Sequence, residues 1–248
     1  MQNAALARAG LPLRYEAWDV EPSALPEALA TLIAEHAGGN VTIPHKAAVF
    51  AACARRTAIA DRVGAVNVFW VEGSTLVGDN TDVGGFDHLV RRAVGAAPWP
   101  RRAAVLGAGG SAAAVLAAIA EWGGTTASIW GRTPQSATAL AARFGGTAVA
   151  VSSADLAVAG ADLVINATPI GLDDLSLPMP IDRLPAGAVV VDLVYRPGET
   201  AWVRAARTAG HRAADGLAML VEQGALAFER WFGVEADRDA MWAAVRRL

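Results

Sequence analysis

A chain of 248 residues, 54% hydrophobic and 18% charged, is long enough for one or two domains with a sizeable core and too apolar for intrinsic disorder. A net charge of −3 gives no dedicated basic surface for nucleic acid, one cysteine makes no internal disulfide, and four scattered histidines lack zinc-ligand spacing. With no apolar run of the ~18–20 residues a membrane helix needs and no signal-peptide block in MQNAALARAG, the expectation is a soluble, cytoplasmic protein without a metal site.

Along the chain, AALARAG (4–10) reads as the tail of a helix stopped by Gly10, and the alternating LRYEAWDV (13–20) as a strand. Ser23 is placed to cap a helix over 24–36, which Gly38-Gly39 ends. A short strand over 40–43 stops at Pro44, and a helix over 46–56 follows. AVNVFWVEGSTLVGDN reads as a hairpin turning at Glu72-Gly73-Ser74, and a helix over 83–95 comes next. Beyond the connector Ala97-Pro98-Trp99-Pro100, short apolar runs at 103–106, 126–130, 147–151, 162–166 and 188–193 read as strands buried on both faces. Helices start near 111, 135, 153 and 199, and two more cover 216–233 and 235–247. The alternation of β and α predicts an α/β protein built on mixed or parallel sheets.

Val105-Leu106-Gly107-Ala108-Gly109-Gly110-Ser111-Ala112 puts a G-x-G-x-x-A turn between a strand and a helix. Gly107 suits the tight turn, Gly109 lets backbone approach a pyrophosphate, and Ala112 lets the helix pack close. An acid about 20 residues further on would mark NAD. Trp130-Gly131-Arg132-Thr133 stands there instead, and an arginine with a hydroxyl suits the 2′-phosphate of NADP. The plainer alternative for Arg132 is a solvated charge at a helix start. NVTIPHK (40–46) and GDNTD (78–82) lie just past strand ends, where open α/β sheets place ligands. Asn40, Thr42, Asn67, Asn80 and Thr81 offer neutral hydrogen-bonding groups to a polyhydroxylated ligand, and Lys46 with Asp82 forms a candidate proton-transfer pair. Two plainer readings stand beside these: a solvated lysine, and Asp82 as the N-cap of helix 83–95.

NVTIPHK, GAVN, GDNTDVGGF, LGAGGSA, GRT, NATPIG, DLVYRP and DGLAMLVEQGALAF occur in that order, and the ordered set resembles the shikimate dehydrogenase family over almost the whole chain. The resemblance implies NADP-dependent, reversible reduction of 3-dehydroshikimate to shikimate. It implies a substrate domain over 1–84, completed by helices from 218–248, and a Rossmann-like NADP domain over 85–217, meeting at a cleft, in a monomer or homodimer. Lys46 is implied as proton donor or acceptor with Asp82 as its partner. Asn40, Thr42, Asn67, Asp82, Tyr195 and Gln223 are implied on the substrate. Gly107, Ala108, Gly109, Gly110 and Ser111 are implied at the pyrophosphate, Arg132 and Thr133 at the 2′-phosphate, and Thr168, Leu193, Gly216 and Met219 near the nicotinamide.

Three departures qualify the likeness. The family's cofactor string usually reads N-R-T with a further basic residue beyond it; here Gly131 replaces the Asn, and Gln135-Ser136 add no charge, which keeps NAD open as an alternative. The family's first strand and S-x-S-x-P motif, whose serines bind the shikimate carboxylate, have no counterpart before Met1, so Met1 is expected to be an internal methionine of a longer natural chain. Gln2 stands where a His is common. A quinate- or aminoshikimate-type dehydrogenase and a non-catalytic NADP-binding relative are the rival readings. Cys53 is expected as a buried core thiol, His45 as a bystander, and Trp231 and Phe232 as packing for the C-terminal helix.

Overall fold

The computed structural model describes residues 1–246. In chain order the elements are α1 (Gln2–Arg8), α2 (Leu25–Ala34), β1 (Gly39–Asn40), α3 (Lys46–Ala52), β2 (Arg55–Arg56), α4 (Ala58–Val63), β3 (Val68–Glu72), β4 (Thr75–Asp79) and α5 (Asp82–Val94). There follow β5 (Arg102–Leu106), α6 (Gly110–Trp122), β6 (Thr126–Trp130), α7 (Pro134–Arg143), β7 (Ala148–Ala150), α8 (Ala154–Val158) and β8 (Leu163–Asn166). The last are β9 (Val189–Asp192), α9 (Ala201–Thr208), β10 (Ala213–Ala214), α10 (Leu217–Phe232) and α11 (Arg238–Val245). Two compact units result: Met1–Gly84 with the chain from Val221 onward, and Gly85–Leu220. Among the described residues no helix is long and apolar enough to cross a membrane.

The first unit holds a four-stranded mixed sheet in the order β1-β3-β4-β2. β3 and β4 form the predicted hairpin, turning through Gly73 at φ +63°, and β2 lies parallel to β4. Gly78 lets this sheet close on its neighbours, because a Cβ there would come within 2.7 Å of Cys53 Sγ. Leu29, Val41, Val49, Cys53, Val66, Phe69 and Leu76 form one core cluster, and α1 packs with α10 and α11 around Leu6, Val221, Phe228 and Met241 in another.

Several predicted elements in this unit are corrected. Residues 13–20 form no strand: no described strand pairs with them, and the Asn3 side chain takes up the N–H and C=O of Tyr15 at 2.7 and 2.9 Å in place of a ladder. Ser23 caps nothing, since it lies inside a 3-10 turn over Pro22–Ala24 and α2 begins without a side-chain cap. The helix predicted to 56 stops at Cys53, whose ψ of 122° is extended, and the chain then makes β2 and α4, the latter capped by Thr57. The last helix runs from Arg238 to Val245; the predicted end at 247 lies outside the described residues.

The second unit is a six-stranded, all-parallel sheet in the order β10-β9-β8-β5-β6-β7, the Rossmann-like pattern. β8 and β9 are buried at every position, as expected for strands covered on both faces. α6 buries every residue from Ala112 to Ile119, which explains why its sequence is nearly all apolar. The strand order reverses between β5 and β8, so their C-terminal ends form the switch point where such sheets bind ligands.

Candidate active site

In the first unit, β3, β4, α3 and α5 bring four polar side chains together. Lys46 opens α3 and Asp82 opens α5, and Lys46 Nζ donates to Asp82 Oδ2 at 2.7 Å. The two side chains are 24% and 11% exposed, so the pair is largely enclosed yet still reachable. Asn67 Nδ2 donates to Asp82 Oδ1 at 2.8 Å, and Asn67 Oδ1 accepts from the Thr81 amide at 2.7 Å. Asp82 therefore spends its carboxylate on Lys46 and Asn67, not on the amides of its own helix. Asn80 Oδ1 accepts from the Asp82 amide at 3.1 Å while its Nδ2 donates to Ala65 O, which fixes the helix start from the other side.

The remaining candidates of this unit sit around that cluster. Gln223 Oε1, on α10, accepts from Asn67 Nδ2 at 3.3 Å. Asn40 Nδ2 donates to Asn67 O at 3.4 Å, and Asn40 Oδ1 accepts from the Tyr15 hydroxyl at 3.0 Å. Thr42 is exposed, and its Oγ1 donates to Ile43 O at 3.4 Å. Behind the site, buried Asp79 accepts from Thr57 and from Arg230 Nε of α10, and Trp231 Nε1 donates to Phe69 O at 3.0 Å. α10 is thus bolted to the hairpin that ends in the site. His45 bonds Val20 O at 2.7 Å, and burial pushes the Cys53 thiol up to about 11.

The second unit gathers a different set at the switch point. Gly107 follows β5 at φ +120°, and a Cβ there would meet Ala167 O at 2.6 Å, so only glycine fits the turn. Gly109 and Gly110 face open space, which leaves backbone amides at the start of α6 free to approach a bulky anion. Ala108 and Ser111 flank them, half-buried. Gly131 is buried against Ala108: a Cβ at 131 would lie 3.0 Å from Ala108 Cβ. Arg132 and Thr133 are exposed before α7, and the Thr133 side chain makes no cap hydrogen bond. These residues fit a 2′-phosphorylated dinucleotide. Thr168, Leu193 and Gly216 follow β8, β9 and β10; the first two hydrogen-bond to Asn166 and the third to Val194 O, while Met219 is half-buried in the first turn of α10. Tyr195 is exposed at 44% in this unit.

Two signals in the sequence went unread. Of the 21 Lys and Arg residues a single one is lysine, and it is Lys46. Arginine serves every other Lys/Arg position, so the one ammonium, which can pass on a proton where a guanidinium cannot, stands in the site. Asp192, which ends the apolar run VVVD, also escaped notice, although its carboxylate is wholly buried among Asn166, Val194 and Thr200.

Family models described as the shikimate dehydrogenase substrate binding domain, shikimate / quinate 5-dehydrogenase and the shikimate 5′-dehydrogenase C-terminal domain match residues 1–69, 91–171 and 216–246. A relative from Thermus thermophilus named shikimate dehydrogenase (NADP(+)) is 43% identical over 249 residues, covering 100% of this chain and 92% of the relative. The crystal structure of shikimate 5-dehydrogenase from Thermus thermophilus with NADP(H) and shikimate has a TM-score of 0.89 at 40% identity, over 99% of this chain and 92% of that one. Quinate dehydrogenase from Corynebacterium glutamicum with NAD has a TM-score of 0.90 at 27% identity, over 99% and 93%.

Proposed function

The chain belongs to the shikimate dehydrogenase family, and from that premise we propose that it catalyses the NADP-dependent, reversible reduction of 3-dehydroshikimate to shikimate. The observation that carries the proposal is the 2.7 Å contact between Lys46 Nζ and Asp82 Oδ2 in a ring of neutral hydrogen-bonding groups. NADPH, when bound, supplies the hydride that forms the new C–H bond at the ketone carbon. As the C=O π pair moves onto oxygen, Lys46 Nζ gives that oxygen a proton, and the free amine regains one from solvent. In the oxidative direction Lys46 takes the hydroxyl proton. Asp82 orients the ammonium with one oxygen while Asn67 holds the other, so the donor is aimed before substrate arrives.

Asn40, Thr42, Asn67 and Gln223, with Tyr195 from the second unit, are proposed to hold the ring hydroxyls and carboxylate. Amide and hydroxyl groups both donate and accept, which suits a substrate carrying several hydroxyls. Gly107, Ala108, Gly109, Gly110 and Ser111 are proposed to cradle the pyrophosphate, and Arg132 with Thr133 to hold the 2′-phosphate. Thr168, Leu193, Gly216 and Met219 are proposed to line the nicotinamide. The site calls for no partner beyond these small molecules. Its setting is proposed to be the cytoplasm, and one copy of the chain holds every named residue, whether monomer or homodimer.

A second reading is favoured by one observation, that Arg132 is the sole cation in the string 131–136. One guanidinium clamps a phosphate less firmly than two cations, so use of NAD, and of quinate, is the alternative. Steady-state oxidation of shikimate and of quinate, each with NADP and with NAD, decides. The highest kcat/KM is expected for shikimate with NADP; no NADP-dependent shikimate oxidation by the purified chain would overturn the proposal.

A further inference from the structure

Asp192 ends β9 and has no exposed surface, yet it faces no cation among its hydrogen-bond partners. Its Oδ1 accepts from Asn166 Nδ2 at 2.8 Å and from the Val194 amide at 3.1 Å, and its Oδ2 accepts from Thr200 Oγ1 at 2.8 Å. The three donors come from three segments at the C-terminal edge of the sheet: the exit of β8, the exit of β9, and the N-cap of α9. One carboxylate ties all three.

The ties continue outward. Asn166 pairs with Asp192 across β8 and β9, and its Oδ1 accepts from the Thr168 amide at 3.0 Å and from Thr168 Oγ1 at 2.6 Å. Its Nδ2 also donates to Ile170 O at 3.2 Å, so the segment 166–170 is wrapped around this one side chain. Leu193 N donates to Asn166 O at 3.0 Å, and Gly216 N donates to Val194 O at 3.0 Å. Gly216 is pressed so close that a Cβ would lie 2.2 Å from Leu193 O. Thr168, Leu193 and Gly216 therefore share one network centred on a residue that no ligand can touch.

We propose that Asp192 is a positioning residue for the nicotinamide end of the cofactor, acting through Asn166 on Thr168 and through the Val194 amide on Leu193 and Gly216. The inference rests on the reading given above for those three residues. Burial raises the Asp192 carboxyl above its ordinary value, and nearby Asp215 adds to the rise. All the donors to Asp192 are neutral. An amide can then replace the carboxyl: its oxygen accepts from Asn166 and Val194, and its nitrogen donates to Thr200 Oγ1.

The test is a split between two ligands, measured by calorimetry: NADPH, and adenosine 2′,5′-bisphosphate, which lacks the nicotinamide. Asp192→Ala is expected to weaken NADPH roughly ten- to a hundred-fold and adenosine 2′,5′-bisphosphate less than about two-fold, while Asp192→Asn restores most of the NADPH affinity. Asn166→Ala, which cuts the link to Thr168 and keeps the carboxyl, is expected to give the same split and serves if Asp192→Ala does not fold. An equal loss for both ligands, or unchanged NADPH binding in Asp192→Ala or in Asn166→Ala, would overturn the inference. If the unaltered chain binds NADPH but does not oxidise shikimate, the proposed reaction fails while this split still judges Asp192.

Discussion

Two aspartates, Asp82 at the start of α5 in the first unit and Asp192 at the end of β9 in the second, each hold an asparagine amide at 2.8 Å. Their remaining contacts differ. Asp82 spends its second oxygen on Lys46 and keeps a partly open face, whereas Asp192 spends its second oxygen on Thr200 and has none. A carboxylate beside a reachable ammonium can aim a proton donor; a carboxyl enclosed by neutral donors can only hold backbone in place. The same local motif, an acid clasped by an asparagine, thus serves chemistry in one unit and architecture in the other, and the partner of the second oxygen decides which.

Altering Lys46 breaks the comparison most sharply. Lys46→Ala is expected to lower kcat by about 10²–10⁴-fold, with NADPH affinity by calorimetry unchanged because Lys46 belongs to the other unit. Lys46→Arg keeps a cation beside Asp82 but one that does not release a proton near neutral pH, so kcat is expected to stay depressed. Recovery of kcat in the arginine variant would show that charge alone, without proton transfer, is what the site needs.

Asn67→Ala removes the clasp from Asp82 and leaves the buried Thr81 amide without its acceptor. Stability by urea unfolding is expected to fall by about 1–3 kcal/mol, with kcat reduced more than KM for cofactor. Arg132→Ala is a smaller change at the margin of the second unit. It is expected to raise KM for NADP roughly ten-fold and leave KM for NAD unaltered; equal effects on both would mean Arg132 never meets the 2′-phosphate.

The two units also differ in how much of them the sequence reveals. In the second, strands such as LVIN and VVVD are buried at every position, so an uninterrupted apolar run is itself the strand. In the first, the alternation at 13–20 buries no face, since Leu13 and Trp18 stay 56% and 50% exposed, and Asn3 takes the backbone groups of Tyr15 in place of a neighbouring strand. β2 is the converse case: Arg55 and Arg56 are exposed and charged, and only their parallel pairing to Val77 and Gly78 makes them a strand. In the site, Lys46, Asp82 and Asn67 were legible from motif and residue chemistry, yet whether Asp82 caps its helix or meets Lys46 is a matter of side-chain direction, which spacing does not fix. Asp192 hid because a polar end to an apolar strand reads as the strand's boundary.

The finest test concerns pH. Burial raises the carboxyl of Asp192 above its ordinary 3.8, with Asp215 adding to the rise and with the Thr200, Asn166 and Val194 donors opposing it. Above that ordinary value the unfolded chain ionises this group while the folded chain keeps its proton, so stability falls as pH rises and levels off beyond the raised folded value. Asp192→Asn cannot ionise and lacks that loss. Asp215 is raised by its own burial and by Glu199, with Arg207 and the Leu217 amide opposing; it is present in both proteins, and because its charge also acts on Asp192 the difference between them reports the coupled pair. Thermal midpoints of the two proteins, followed from about pH 4 to pH 8, are therefore expected to shift in the variant's favour as pH rises. Parallel curves would mean that Asp192 ionises as freely in the folded protein as in the unfolded chain, and that the enclosure separating it from Asp82 has no electrostatic consequence.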